Sequence, residues 1–128
     1  MRLLLDTTVL IDALRSRSAR RAWLAELVRA GHSLETSALN IAEVYAGMHS
    51  EEELLTKEFL GALLCHSITS SVAENAGLLK NQWARKGRAV ALADTLVAAV
   101  TLEQNCTLVT DNRKDFPMPE LRLYGMPE

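Results

Sequence analysis

The chain has 128 residues, 48% of them hydrophobic, so it is long enough for one domain with a buried core and short for two. Its net charge of −2 means that the chain cannot bind nucleic acid mainly through an overall positive charge. The widely spaced Cys65 and Cys106 form no CxxC pair, which argues against a disulfide framework or a zinc site and favours two buried small side chains. Without a signal-peptide pattern or an apolar stretch long enough for a bilayer, we expect one soluble, cytoplasmic domain over residues 1–128.

Apolar runs typical of buried strands alternate with segments of helical spacing along the chain. The predicted elements are, in order, a strand at 3–5, helices at 7–14 and 15–29, a strand at 32–36, helices at 38–48 and 51–64, a short strand within 63–68, helices at 72–85 and 92–104, and strands at 106–110 and 121–124. Ser37 and a capping-box spacing at Ser71–Glu74 indicate helix starts, and Gly31 and Gly87 helix ends. This alternation predicts an α/β sandwich with a mostly parallel central sheet flanked by helices.

Acidic residues follow two of the predicted strands. Asp6 comes directly after the strand at 3–5, and Asp111 and Asp115 follow the strand at 106–110. Because ligands bind at the carboxyl ends of parallel strands, we expect these acids to share one edge of the sheet. Taken singly, Asp6 also fits an N-cap of the next helix, and Asp115 a surface or capping residue.

Two more acids lie in apolar helical segments, Glu43 on a helix without lysine or arginine and Asp94 with no basic residue nearer than Arg88. Taken singly, Glu43 fits a solvent-facing helical residue, and Asp94 an acid stabilised by the helix dipole. Several converging carboxylates would repel one another unless a cation met them. Oxygen ligands without a Cys/His set favour Mg²⁺ or Mn²⁺, ions suited to phosphate chemistry.

Four segments resemble, in order and spacing, the motifs of PIN-domain proteins, and among these they are most similar to VapC toxins, the ribonuclease halves of bacterial and archaeal toxin–antitoxin pairs. The segments are DTTVLID at 6–12, NIAEVYAG at 40–47, ADTLVAA at 93–99 and LVTDNRKDF at 108–116. The resemblance covers essentially the whole chain. It implies a single PIN domain and a Mg²⁺- or Mn²⁺-dependent endoribonuclease that cleaves tRNA, mRNA or rRNA with a metal-activated water. It also implies a cognate VapB-like antitoxin and a homodimer.

Three acids of the family pattern match this sequence by position. They are Asp6, Glu43 and Asp94. The resemblance implies that all three are catalytic, and we expect Asp6 and Asp94 to be direct metal ligands.

The last motif leaves the fourth acid open. Asn112 stands where the family commonly has Asn or Asp, and an amide brings no charge, so Asp115 or Asp111 would supply the last carboxylate. We take Asp115 as the fourth catalytic acid. We expect Thr8 and Thr110 to orient a carboxylate or a water.

Two basic sets are candidates for holding an RNA backbone, although both also fit solvated helix faces. They are Arg15, Arg17, Arg20 and Arg21, and Lys80, Arg85, Lys86 and Arg88. Lys86 and Arg88 are favoured because they precede the helix of Asp94, and Arg15 is the candidate from the first set. The apolar faces around Trp23 and residues 54–59 fit core packing better than antitoxin binding.

Three other functions compete with the ribonuclease. A catalytically silent PIN-like binding module is disfavoured by the intact acids, and a DNA nuclease is an alternative of the same class. A receiver-like phosphoacceptor domain would need a central aspartate, and none lies between Asp12 and Asp94.

Overall fold

The computed structural model of the protein describes residues 1–15 and 19–125. In these ranges one parallel sheet has the order β3-β2-β1-β4, with β1 at Arg2–Leu5, β2 at Ser33–Ser37, β3 at Leu64–His66 and β4 at Thr107–Val109. The α-helices are α1 Thr7–Leu14, α2 Arg20–Arg29, α3 Ala38–Gly47, α4 Glu53–Gly61, α5 Ser70–Arg85 and α6 Leu92–Glu103. Short 3₁₀ turns lie at Ser50–Glu52 and Arg113–Asp115. The predicted α/β sandwich is confirmed. None of the helices in the described ranges is long and apolar enough to cross a membrane.

Strand β1 lies inside the sheet and is buried on both faces. Leu4 packs with residues of α5 and α6 in one hydrophobic cluster, whereas Leu3 and Leu5 pack with residues of α1 and α2 in another. This is why the strand has an uninterrupted apolar run instead of alternating polar residues. The two clusters are the two interfaces of a three-layer sandwich.

The order of the strands places a crevice beside the end of β1. From β1 the chain moves to β2 and β3, and then returns through α5 and α6 to β4 on the other side of β1. The Asp6 amide donates to the carbonyl of Val109 (3.0 Å), so the ends of β1 and β4 stay together. Ligands of parallel sheets bind at such a switch point. Asp6 and Thr110 directly follow these two strand ends.

Some predicted element boundaries were wrong. α1 ends at Leu14 and α2 begins at Arg20, so the predicted helix over 15–29 starts too early, and its residues 16–18 lie outside the described part. The capping box at Ser71–Glu74 is not formed, because Thr69 caps α5 by accepting from the Val72 amide (3.2 Å). The last predicted strand, at 121–124, is reduced to one parallel bridge between Leu123 and Leu108 of β4.

Candidate active site

Asp6 occupies the N-cap position of α1, but its side chain accepts no capping hydrogen bond from the described residues of that helix. Instead, Thr110 donates its hydroxyl to Oδ2 (2.8 Å), and the Asn40 amide donates to Oδ1 (3.4 Å). The carboxylate is only 8% exposed, and this burial raises its pKa in spite of the Thr110 hydrogen bond. Asp6 thus lies at the predicted N-cap position, but its carboxylate is directed mainly to Thr110 and Asn40.

Glu43 approaches Asp6 from α3. Its Oε1 accepts the hydroxyl of Thr7 (2.6 Å), and Thr7 in turn accepts from the Asn40 amide (3.0 Å). Thr8, which was expected to orient a carboxylate, is exposed, and its side chain forms no hydrogen bond with the described residues. Thr7 makes this contact instead, because it is the first residue of α1 and follows Asp6 directly.

Asp94 lies in the first turn of α6 and is half-buried. Its pKa is raised to about 6, first because burial disfavours the charged form and then because Asp115, Asp6 and Glu43 add negative charge around it. Within residues 1–15 and 19–125, no lysine or arginine forms an ion pair with Asp94. Acids from four separate segments thus act on one another in a single crevice.

The last motif presents two acids, and they have different surroundings. Asp115, in the 3₁₀ turn Arg113–Asp115, is the largest charged contribution to the raised pKa of Asp94. Asp111 is instead paired with Arg20 of α2, whose Nη2 lies 3.0 Å from Oδ1. The geometry favours Asp115 over Asp111 as the fourth acid.

Two buried polar side chains fix the position of Asp6. Thr110 was predicted, and its hydroxyl also accepts the Asn112 amide (3.0 Å), whereas the Asn112 side chain is exposed. Asn40 was not predicted as a site residue. The signal was present, since Asn40 lies three residues before Glu43 and therefore on the same face of the helix.

The donor set fits a hard divalent cation. It consists of carboxylates, and the pKa values of Asp6 and Asp94 are raised. Among the described residues, no lysine or arginine forms an ion pair with Asp94. Mg²⁺ is commonly held by one or two carboxylates together with waters. The positive charge of such an ion would offset the effects of burial and of the neighbouring carboxylates that raise these pKa values.

The model of the PIN-domain family matches residues 3–118. The chain belongs to the PIN-domain family. Curated relatives include Ribonuclease VapC19 of Mycobacterium tuberculosis, which is 32% identical over 93% of this chain and 96% of the relative. Ribonuclease VapC10 of the same organism is 32% identical over 92% of this chain and 88% of the relative. The sequence-based identification of a VapC-type PIN domain is confirmed.

Solved structures share this PIN fold. A chain in the crystal structure of VapBC2 from Rickettsia felis, bound to a promoter DNA fragment, superposes with a TM-score of 0.86 at 23% identity and covers 99% of this chain and 100% of that one. VapBC-1 from nontypeable Haemophilus influenzae gives a TM-score of 0.80 at 21% identity, with 97% of each chain covered. At these identities the structures establish a common fold.

Lys86 and Arg88 lie on the exposed loop after α5. Arg88 donates from Nη2 to the carbonyl of Lys114, the residue before Asp115. The ammonium of Lys86 lies 4.6 Å from the centre of the Trp83 ring. Through Arg88, positive charge therefore reaches the rim of the acidic crevice of the PIN domain.

Four of the other predicted basic residues have partners within the fold, whereas Arg85 is exposed at the end of α5. Arg15 lies 3.7 Å from a Glu52 oxygen, and Arg21 donates to two carbonyls at the end of α1. Lys80 donates to the carbonyl of Val90 (2.6 Å), and Arg20 pairs with Asp111 as described above. Arg17 lies outside the described residues. Arg15, the RNA-binding candidate of its set, is thus poorly placed to bind a phosphate.

A second polar cluster, which the sequence did not predict, lies across the sheet. Glu35 is 0% exposed, and its oxygens accept two hydrogen bonds from Arg2 (2.9 and 2.8 Å). His66 Nε2 lies 2.6 Å and the Cys106 thiol 3.5 Å from Glu35 Oε1. Glu35, His66 and Cys106 are residue types that can bind a metal, and the folded chain brings them together although the sequence shows no Cys/His motif. Cys65, by contrast, is exposed on the edge strand β3 and not buried as predicted.

Arg2 already supplies the cation of this second cluster. Burial opposes the charge on Glu35, but the hydrogen bonds from Arg2 and His66 prevail and lower its pKa to about 2. Burial and the Glu35 charge raise the pKa of Cys106 to about 11, so its thiol keeps its proton. A metal ion would have to displace Arg2 and remove this proton. We therefore assign the cluster to the stability of the fold.

Proposed function

We propose that the protein is a Mg²⁺- or Mn²⁺-dependent endoribonuclease and the toxin of a VapBC-type pair. The observation that carries the proposal is the convergence of Asp6, from the end of β1, with Glu43 of α3, Asp94 of α6 and Asp115, held by the hydrogen bonds of Thr110, Asn40 and Thr7. The raised pKa of Asp94 agrees with this crowding of negative charge. A site of this kind is organised for a cation that the protein does not itself provide. The reaction class is supported by relatives of similar length that are named ribonucleases.

In the proposed mechanism the acids have distinct roles. Asp6 and Asp94 would hold a divalent ion, and Glu43 and Asp115 would complete its negative surroundings. When bound, such an ion activates water and stabilises the charge that develops on the phosphate. Thr110 keeps Asp6 in one orientation. Because Thr7 binds only Oε1 of Glu43, the second oxygen of this exposed carboxylate remains available to accept a hydrogen bond from a reacting water.

RNA is the proposed substrate, from the tRNA, mRNA or rRNA classes. The negative crevice would repel a phosphodiester unless a cation were bound, so substrate and ion binding are coupled. Lys86 and Arg88 are proposed to hold phosphates next to the scissile one. The contact of Arg88 with the Lys114 carbonyl, next to Asp115, supports this role, and Lys86 lies two residues before Arg88 on the same exposed loop.

An antitoxin is the proposed protein partner, and an apolar groove between α2 and α4 is its proposed docking surface. The groove has a volume of about 530 Å³ and is lined by residues that include Leu24, Val28, Phe59 and Leu63. Val28 is 54% exposed, a degree of exposure unusual for a side chain used only in core packing. A chain of a toxin–antitoxin complex from Klebsiella pneumoniae shares this fold, which supports an antitoxin as the partner. The homodimer implied by the resemblance stays a prediction, to be tested by sedimentation.

The test is cleavage of defined tRNA, mRNA and rRNA fragments by the purified protein with Mg²⁺ or with EDTA. Asp94→Asn keeps the size of the side chain and should abolish cleavage. Asp12→Asn, on α1, is the matched control and should retain it. Cleavage that persists in EDTA, or an active Asp94→Asn protein, would overturn the proposal. Failure of all proteins to cleave, with antitoxin binding intact, would favour a silent binding module.

A further inference from the structure

Asn40 is a fully buried polar side chain between two acids of the site. It lies in the first turn of α3 and is 0% exposed. Its Oδ1 accepts from the Ser37 hydroxyl (2.5 Å), and its Nδ2 donates to Thr7 Oγ1 (3.0 Å) and towards Asp6 Oδ1 (3.4 Å). Both donors of this amide are therefore directed to the site, and its oxygen accepts from the N-cap residue of its own helix.

The protons of this network have one consistent direction. The Ser37 hydroxyl accepts the Asn40 backbone N–H (3.3 Å), so its own proton is available for Asn40 Oδ1. A flipped amide would turn Oδ1 towards the Asp6 carboxylate, where two acceptors would oppose each other. Thr7 accepts from Asn40, so its single proton goes to Glu43 Oε1 (2.6 Å). The series of hydrogen bonds thus runs from Ser37 through Asn40 and Thr7 to Glu43.

Asp6 and Glu43 belong to different elements and repel each other, since the charge of Glu43 contributes to the raised pKa of Asp6. Asn40 contacts Asp6 directly and Glu43 through Thr7. We propose that Asn40 is a positioning residue that sets the separation of the Asp6 and Glu43 carboxylates for a divalent ion, an inference that rests on the proposed function. Positioning groups of this kind commonly change metal affinity by about 10- to 100-fold.

The experiment measures Mn²⁺ affinity by isothermal titration, without RNA, for the full-length protein and matched variants. Asn40→Leu removes the amide at similar volume, and Thr7→Val removes the relaying hydroxyl. Thr7→Ser restores that hydroxyl. Thr101→Val is the control, because Thr101 is buried in α6 and its hydroxyl donates to the Val97 carbonyl of the same helix (2.7 Å). Unfolding in EDTA, followed by circular dichroism, establishes that each protein is folded.

We expect Asn40→Leu and Thr7→Val to weaken Mn²⁺ binding by roughly tenfold or more, and Thr7→Ser and Thr101→Val to bind within about twofold of the wild type. If Asn40→Leu does not fold, Asn40→Ala takes its place in the comparison, and the two Thr7 variants then test the relay to Glu43. Equal affinity of the wild type, Asn40→Leu and Thr7→Val would overturn the positioning role and leave the proposed function standing. A wild-type protein that binds no Mn²⁺ would overturn both.

Discussion

Replacing Asp94 by asparagine should stabilise the metal-free protein at neutral pH. In the folded chain the pKa of Asp94 is raised from 3.8 to about 6, so ionising this carboxyl disfavours the folded state. A rise of roughly two pKa units corresponds to at most ~3 kcal/mol, and screening of this half-exposed group reduces the expected gain to about 1–2 kcal/mol. The sign follows from the raised pKa. Below about pH 4 Asp94 is protonated in both the folded and the unfolded wild type, so it does not lower the free energy of unfolding. As the pH rises through about 6 the folded protein has to ionise Asp94, and its free energy of unfolding falls.

The assay is urea unfolding in EDTA, followed through the fluorescence of Trp23 and Trp83. At about pH 7.5 the Asp94→Asn protein should unfold at higher urea than the wild type, and at about pH 4 the two midpoints should converge. Added Mg²⁺ should stabilise the wild type and have little effect on the variant. An Asp94→Asn protein less stable than the wild type at both pH values would refute the reasoning, as would a difference that does not depend on pH.

The remaining predictions concern the rim, the groove and the second cluster. Replacing Lys86 and Arg88 together by alanine should raise KM for RNA several-fold, leave kcat nearly unchanged and reduce the salt dependence of KM; an unchanged KM would exclude the rim as a phosphate contact. Val28→Asp should abolish antitoxin binding in a pull-down but preserve RNA cleavage, because it places a charge in the apolar groove away from the active site. Normal antitoxin binding by this variant would show that the groove is not the interface. Glu35→Gln should lower the free energy of unfolding by ~1–3 kcal/mol, because the Arg2 ion pair is lost. Mn²⁺ affinity should not change in that variant; weaker Mn²⁺ binding would contradict the separation of the two clusters.

The sequence allowed the sheet and the convergence of the acids to be predicted, because both depend on local pattern. Residues 3–5 form an uninterrupted apolar run, which is typical of a strand buried on both faces. Asp6 follows that run directly, so its place at the carboxyl end of a parallel strand could be deduced from the fold class. The α6 helix was predicted almost to the residue, because Asn105 with its positive φ (55°) ends it.

What escaped prediction depends on contacts between distant segments. Glu35 meets Cys106 across 71 positions only after β2 and β4 have packed on either side of β1. The choice of Thr7 over Thr8 depends on the phase of α1, which the position of the helix start determines. Asn40 was passed over because its spacing from Glu43 shows only that the two share a helix face, and its contacts with Asp6 and Thr7 arise only when α3 packs beside α1.

The most direct test of a divalent-cation site at the strand ends is a crystal of this protein soaked in MnCl₂, with anomalous scattering collected for manganese. We predict an anomalous peak coordinated by the carboxylates of Asp6 and Asp94, at about 2.0–2.2 Å from their oxygens. The same soak of the Asp94→Asn protein should lose or strongly weaken that peak. A map without a peak at the strand ends, or with manganese only beside Glu35, would contradict the assignment of the active site.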